Sequence, residues 1–258
     1  EFSSRFYPKF VRVEKPAKFG SIEALTGAIE ALRAKGQDIQ AVAAVIHNIN
    51  VVEKNIDTNA VVPIIDLLLQ VNEWKTATRL YDKLKEQGDK ALVANVSLLL
   101  ADYYFTRNQW EQTVQVAQSI AGDDLHRARL IHGIALQRLR KHRPALAQYA
   151  KIPKTSRHYT AARLNTAIAN IRQDWWTDAH KIMQELIDRG GINDVVQTDR
   201  LYTVWGYSLL RQQYFRNARD IFRNVSQEGP YTNKALLGIA LSAAYQNDYI
   251  GALNAIRI

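Results

Sequence analysis

One local phrase recurs along this chain: a bulky, usually aromatic residue followed three positions later by a small one. It occurs as Trp74/Ala77, Trp110/Thr113, His142/Ala145, Trp176/Ala179, Phe215/Ala218 and Tyr249/Ala252, at steps of 36, 32, 34, 39 and 34 residues. Self-similarity at roughly 34 residues is the mark of stacked two-helix units, which cannot bury their apolar faces alone and so must stack. A second column runs in phase with the first. Nine residues before each bulky position, from the second onward, stand Ala101, Gly133, Ala167, Gly206 and Ala240. Seven residues after it stand Tyr81, Ala117, Tyr149, Met183, Phe222 and Ile256. Small residues let two antiparallel helices approach closely, and the later apolar column forms the seam to the next pair. Only 12 Gly and 6 Pro interrupt the 258 residues, as a helical chain requires.

These columns resemble the tetratricopeptide repeat. Gly206 after Trp205, then Tyr214-Phe215, Ala218, Phe222 and Pro230, form the copy most like it, and Lys234 to Tyr249 repeat it more weakly. The resemblance covers roughly residues 60 to 258. His132 and Thr166 stand where apolar residues are usual, and His142 replaces an aromatic. For the middle of the chain, neighbouring kinds of α-solenoid therefore stay open. The resemblance implies an all-α, right-handed superhelical α-solenoid of antiparallel helix pairs. The expected division is an extended arm over 1–20, a degenerate helix pair over 21–59, and five to six repeats over 60–258, the last incomplete.

Local signals suit this phase. Asn108-x-x-Glu111 has the form of a capping box, and Asp174 stands as an N-cap before Trp175-Trp176. Gly36, Gly88, Gly122 and Gly190-Gly191 punctuate the helices, and Asp38 is placed to cap the second one. The chain opens without an initiator methionine and its last helix ends on Ile256 and Ile258 with no polar capping helix. A segment of a larger, bacterial protein is the expectation.

Catalytic chemistry finds no support. No cysteine excludes a disulfide scaffold, a thiol nucleophile and any cysteine metal site. None of the six histidines has the i, i+4 partner and intervening Glu of a helical zinc hydrolase. There is no Gly-rich phosphate loop and no G-x-S-x-G elbow, and Asp123-Asp124 reads as helix capping. The tryptophans sit in repeat columns, where core packing is expected. Neither an enzyme nor a cofactor nor a metal is expected. The longest mostly apolar run, Ala60 to Val71, is interrupted by Pro63, Asp66 and Gln70 and is too short to span a bilayer. The lack of cysteine fits a periplasmic or envelope-associated setting, which is favoured over a cytoplasmic one.

Charge is unevenly spread. The net charge of +9 comes almost wholly from the middle third, and Leu125 to Gln173 holds no Asp or Glu. Its densest cations are Arg138, Arg140, Lys141 and Arg143, followed by Lys151, Lys154 and Arg157. A solvated basic face fits, and so does a dock for an acidic partner. Nucleic acid is the less favoured partner, because the run lacks interleaved exposed aromatics.

In tetratricopeptide arrays the inner faces of the A helices line a concave groove. Counting from the small column, the inward positions include Phe105, Arg127, Ile134, Gln137, Ile171, Arg200, Tyr207 and Lys234, with Leu237 and Leu241 in the last repeat. Family members that bind chaperone tails clamp a terminal carboxylate with Lys, Asn and Arg at set inward positions. Those positions are mostly apolar here, so that activity is not expected. The expected function is a non-catalytic protein–protein interaction scaffold that holds a peptide or helical segment in the groove, within a larger assembly such as one of the cell envelope. The alternative is a binder of nucleic acid or another anionic polymer through residues 125–173.

Overall fold

The computed structural model describes residues 15–120, 125–188, 192 and 194–257. Residues 1–14 of the arm, Gly122, Asp123, Asp124, Gly190, Gly191 and Ile258 lie outside the described residues. The described chain is all-α, with no strand, in two compact units, Glu1–Ala128 and Arg129–Ile258. The first holds α1 (Ile22–Ala34), α2 (Asp38–His47), α3 (Ile49–Lys54), α4 (Val61–Gln70), α5 (Trp74–Gln87), α6 (Lys90–Thr106) and α7 (Trp110–Ala117). The boundary falls inside α8 (Leu125–Arg138). The second unit continues with α9 (His142–Ala150), α10 (Tyr159–Ile171), α11 (Trp176–Asp188), α12 (Val195–Arg211), α13 (Phe215–Phe222), α14 (Thr232–Ala244) and α15 (Tyr249–Ile256). Sequential helices pack as pairs: α1 on α2, α4 on α5, α6 on α7, α10 on α11, α12 on α13 and α14 on α15.

All six bulky residues of the repeated phrase are the first residue of a second, or B, helix. The small residue three positions on faces the partner helix: Ala77, Thr113, Ala145, Ala179 and Ala218 are fully buried. The bulky residues lie nearer the surface. Trp74 is 43% exposed and Trp175, beside the phrase, 41%, so the expectation that the tryptophans are core does not hold for these two. A residue opening a B helix sits at the end of the hairpin, where one side has no neighbouring helix.

The turn inside each pair is one motif used repeatedly. Two positions before the bulky residue the backbone is left-handed: Asn72, Asn108, Arg140, Asp174, Gln213 and Asn247 have φ between 59° and 67°. At each, the amide of the next residue donates to a carbonyl five residues back, as in Glu73 to Leu68 at 2.7 Å and Tyr214 to Leu209 at 3.0 Å. This is the Schellman arrangement, which satisfies carbonyls that a helix end leaves unpaired. Gly36, with φ 69°, makes the same turn before α2, with Gln37 donating to Leu32 at 3.0 Å. The left-handed region disfavours side chains by about 1–2 kcal/mol, least for Asn and Asp, whose short polar groups bond locally. That corrects two assignments. Asn108 and Asp174 close the preceding helix rather than cap the next, because the residue types that favour N-caps also tolerate left-handed backbone. Asp38 likewise is the first residue of α2, whose N-cap is Gln37. Arg140→Gly is expected to raise the unfolding free energy by about 0.5–1 kcal/mol in urea melts, since glycine removes the Cβ conflict.

The small column is matched in size to the seam column. A methyl carbon placed on Gly133 would lie 2.4 Å from the Tyr149 ring, and one on Gly206 would lie 2.5 Å from the Phe222 ring. Glycine stands opposite these two aromatics. Where the seam residue is Ala117, Met183 or Ile256, the column carries alanine. Phe222 is 1% exposed and is approached from its other side by Gly238, where a methyl would come within 2.4 Å. At the amino end, buried Asn48 receives the Phe19 amide at 2.8 Å and donates to the Ala17 carbonyl at 2.9 Å, tying residues 17–19 to the end of α2.

Candidate binding surfaces

The inward positions do not behave alike. In the first unit, Phe105 is half-buried and meets Trp110 edge-on at 5.6 Å, while Arg127 pairs with Asp102. In the second, Gln137 is 6% exposed and its side-chain oxygen accepts a 2.8 Å hydrogen bond from the Tyr149 hydroxyl. Gln137 is therefore part of the core beneath the stripe and is not offered to a partner. Tyr207 packs edge-on against Phe222 at 4.9 Å and donates to the Lys234 carbonyl at 2.8 Å, so it too serves the packing of α12 against α14. Arg200 reaches Asn165 at 3.4 Å, and the Lys234 ammonium lies 5.6 Å from the Tyr231 ring centre. Ile134 and Ile171 are half-buried, and Leu237 is half exposed. Within the second unit, what remains is a row of apolar positions, Ile134, Ile171 and Leu237, of which the last, on α14, is the most open.

The basic residues fall into two groups at opposite ends of α9. Arg138, Arg140, Lys141 and Arg143 occupy the α8–α9 turn, and Lys151, Lys154 and Arg157 the α9–α10 connection; all seven are exposed. Arg140, Lys141, Arg143, Lys151 and Lys154 have no carboxylate within ion-pair distance among the described residues. The physical reason is the acid-free stretch around them. By contrast Arg163, facing α11, pairs with Glu185 at 2.9 Å.

Three histidines bind protons less readily here than free imidazole does. For His132 burial is the first cause and Lys151 the second. For His142 burial leads, followed by Arg172 and Arg140. For His180 the cause is burial. Each folded pKa lies below the unfolded value of about 6.5, so the unfolded chain binds more protons as the pH falls through that region. Stability is expected to be full above about pH 6.5 and to decline below it. Urea midpoints measured at about pH 7.5 and 5.5 check this, and His132→Leu should shrink the difference.

Among the described residues no group of three or more His, Asp or Glu could hold a metal ion, and no helix is long and apolar enough to cross a membrane. With the helix pairs and their turns in view, the class is clear: this is the fold of tetratricopeptide repeat proteins. The chain superposes on a tetratricopeptide repeat protein from Parabacteroides merdae with a TM-score of 0.60 at 14% identity, over 92% of this chain and 91% of that one. It also superposes on PilF of Pseudomonas aeruginosa with a TM-score of 0.51 at 15% identity, over 90% of this chain and 95% of that one. No family model matches the sequence, and no curated protein matches it. The fold is generally a protein–protein interaction module.

Proposed function

We propose that this chain is a non-catalytic scaffold that binds a peptide or helical segment of a partner protein along the inward faces of its A helices. Its setting is a larger assembly, with the cell envelope as the candidate location. The supporting observation is the apolar stripe ending at α14, where Leu237 is 50% exposed in a helix that otherwise buries Ala235, Gly238, Ala240, Ser242 and Ala243. An exposed leucine on an ordered helix face, continued by half-buried Leu241 and Leu210, suits the anchor positions of helix-in-groove recognition. Affinity capture with the wild type and with Leu237→Asp/Leu241→Asp tests this. The variant should lose the retained partner with its helical circular dichroism unchanged, and equal retention would overturn the reading.

A second reading, capture of nucleic acid or another anionic polymer by residues 125–173, rests on the exposed and unpaired Arg140, Lys141 and Arg143. It requires a log–log salt slope of about −0.7 per neutralised single-strand phosphate.

A further inference from the structure

We propose that the edge formed by the α8–α9, α10–α11 and α12–α13 turns docks an acidic segment of a partner protein that carries an apolar anchor side chain. The proposal rests on the reading of the chain as a protein-binding scaffold, but not on its apolar stripe.

The second and third turns are in contact, and the first lies within electrostatic reach of the second. Arg211, at the third turn, pairs with Asp174 of the second at 3.3 Å and stands 5.2 Å from the Trp176 ring centre. Arg172, at the second, lies close enough to His142 of the first to act on it electrostatically. Asp174 is thus engaged, while Arg140, Lys141, Arg143 and Arg172 face solvent with no carboxylate partner among the described residues. The position just before each bulky residue is exposed and holds Lys141, then Trp175, then Tyr214, at 41% and 56% exposure for the two aromatics. Exposed aromatics therefore do accompany the basic run, immediately beyond its end.

Arg140 also breaks the rule of its own repeat. It holds a left-handed backbone where four of the other five side-chain-bearing turns use Asn or Asp. Arg140 thus carries a conformational cost that Asn would lessen, while its guanidinium stands exposed with no carboxylate partner among the described residues.

The chemistry of the edge chooses among anions. Its cations are nearly all arginine, whose planar two-point fork matches carboxylates and phosphates alike, so the choice falls to the groups beside them. Arg, Trp and Tyr are the residue types that dominate protein hot spots. Trp175 also opens onto a cleft of about 830 Å³ between α9, α10 and α11, whose apolar wall of Leu146, Ile152, Pro153 and Ile182 is bordered by charged side chains of both signs, Asp178 and Lys181 among them. The corresponding cleft between α5, α6 and α7 measures about 90 Å³. A cleft of this size beside a cationic edge accepts an aliphatic or aromatic anchor flanked by acids. A nucleic-acid strand needs rings close enough to stack successive bases, and here they come once per turn. A membrane surface is bound by an amphipathic helix that lays a continuous apolar face into the lipid, and the three turns present separate side chains rather than such a face.

The test uses the full chain and a labelled synthetic peptide of about 16 residues built from Glu-Asp-Phe-Glu blocks, with a Gln-Asn-Phe-Gln control, read by fluorescence anisotropy at about 50 mM salt. The acidic peptide should bind at least roughly tenfold more tightly than the control. Trp175→Ala, and separately Arg140→Asn/Arg143→Gln, which suit a left-handed turn and a helix start, should each weaken it at least about fivefold. Leu237→Asp should leave it within about twofold. Equal affinity for both peptides, no binding of either, or indifference to the edge variants overturns the proposal. Loss in Leu237→Asp alone overturns it while leaving the scaffold reading intact. Tighter binding of an oligouridine of similar length, or of phosphatidylglycerol vesicles, overturns it in favour of nucleic acid or a lipid surface.

Discussion

Phe222→Ala is expected to lower the unfolding free energy by about 3–5 kcal/mol, measured by urea denaturation. The ring is 1% exposed, and two glycines on different helices, Gly206 of α12 and Gly238 of α14, have surrendered their side chains to make room for it. Removing the ring leaves a void bordered by backbone that cannot collapse, because both helices are also held by their own turns. The same geometry predicts the reciprocal failure. Gly206→Ala and Gly238→Ala place a methyl within 2.5 Å and 2.4 Å of the ring, and a ring wedged from both sides has nowhere to move. Each should cost about 1–3 kcal/mol by overpacking, although alanine is intrinsically the better helix former by about 1 kcal/mol. Phe222→Leu combined with Gly206→Ala should recover part of the loss. Strict additivity of the two changes would show that they do not share the contact.

Leu68→Ala is expected to cost about 3–5 kcal/mol in the same measurement. Helix α4 packs on α2, α5 and α6, and buries Val61, Ile64, Ile65, Leu67, Leu68 and Leu69 in ten residues. Leu68 itself is fully buried. A helix covered on several sides has no free face toward which its neighbours can relax, so the missing atoms remain a cavity. The matching change on α15, Leu253→Ala, should stay within about 0.5 kcal/mol. Leu253 is 59% exposed, and α15 buries none of its residues.

The fold was legible because its packing rule is written in residue size. Gly133, Gly206 and the alanines of the same column announce where helices touch, and each bulky residue announces where a B helix begins. The first pair could have been found the same way: Ala41 lies 36 residues before Ala77, the first step of the series, and is fully buried. The turns were misread at Asn108 and Asp174 because two demands, capping a start and tolerating a left-handed end, select the same residue types. Arg140 and Gln213 carry no such signal; only their place in the period marks them. The candidate surfaces were harder. Inward spacing cannot tell Gln137, which is consumed by Tyr149, from Leu237, which is open, because that depends on what the neighbouring helix contributes. Nor does sequence reveal that Trp175, beside the repeat-column Trp176, faces outward. One residue's difference across a hairpin end decides that.

The turns within pairs run to three or four residues and share one backbone solution, whereas the connections between pairs vary freely, from two residues after α5 to eight after α9 and nine after α13. Tolerance to engineering should divide along the same line. An epitope or reporter grafted near exposed Thr155 lengthens a strap that already differs from its counterparts. The same graft at Leu139 displaces the carbonyl pairing that sets one helix against the next, and the hairpin loses its angle.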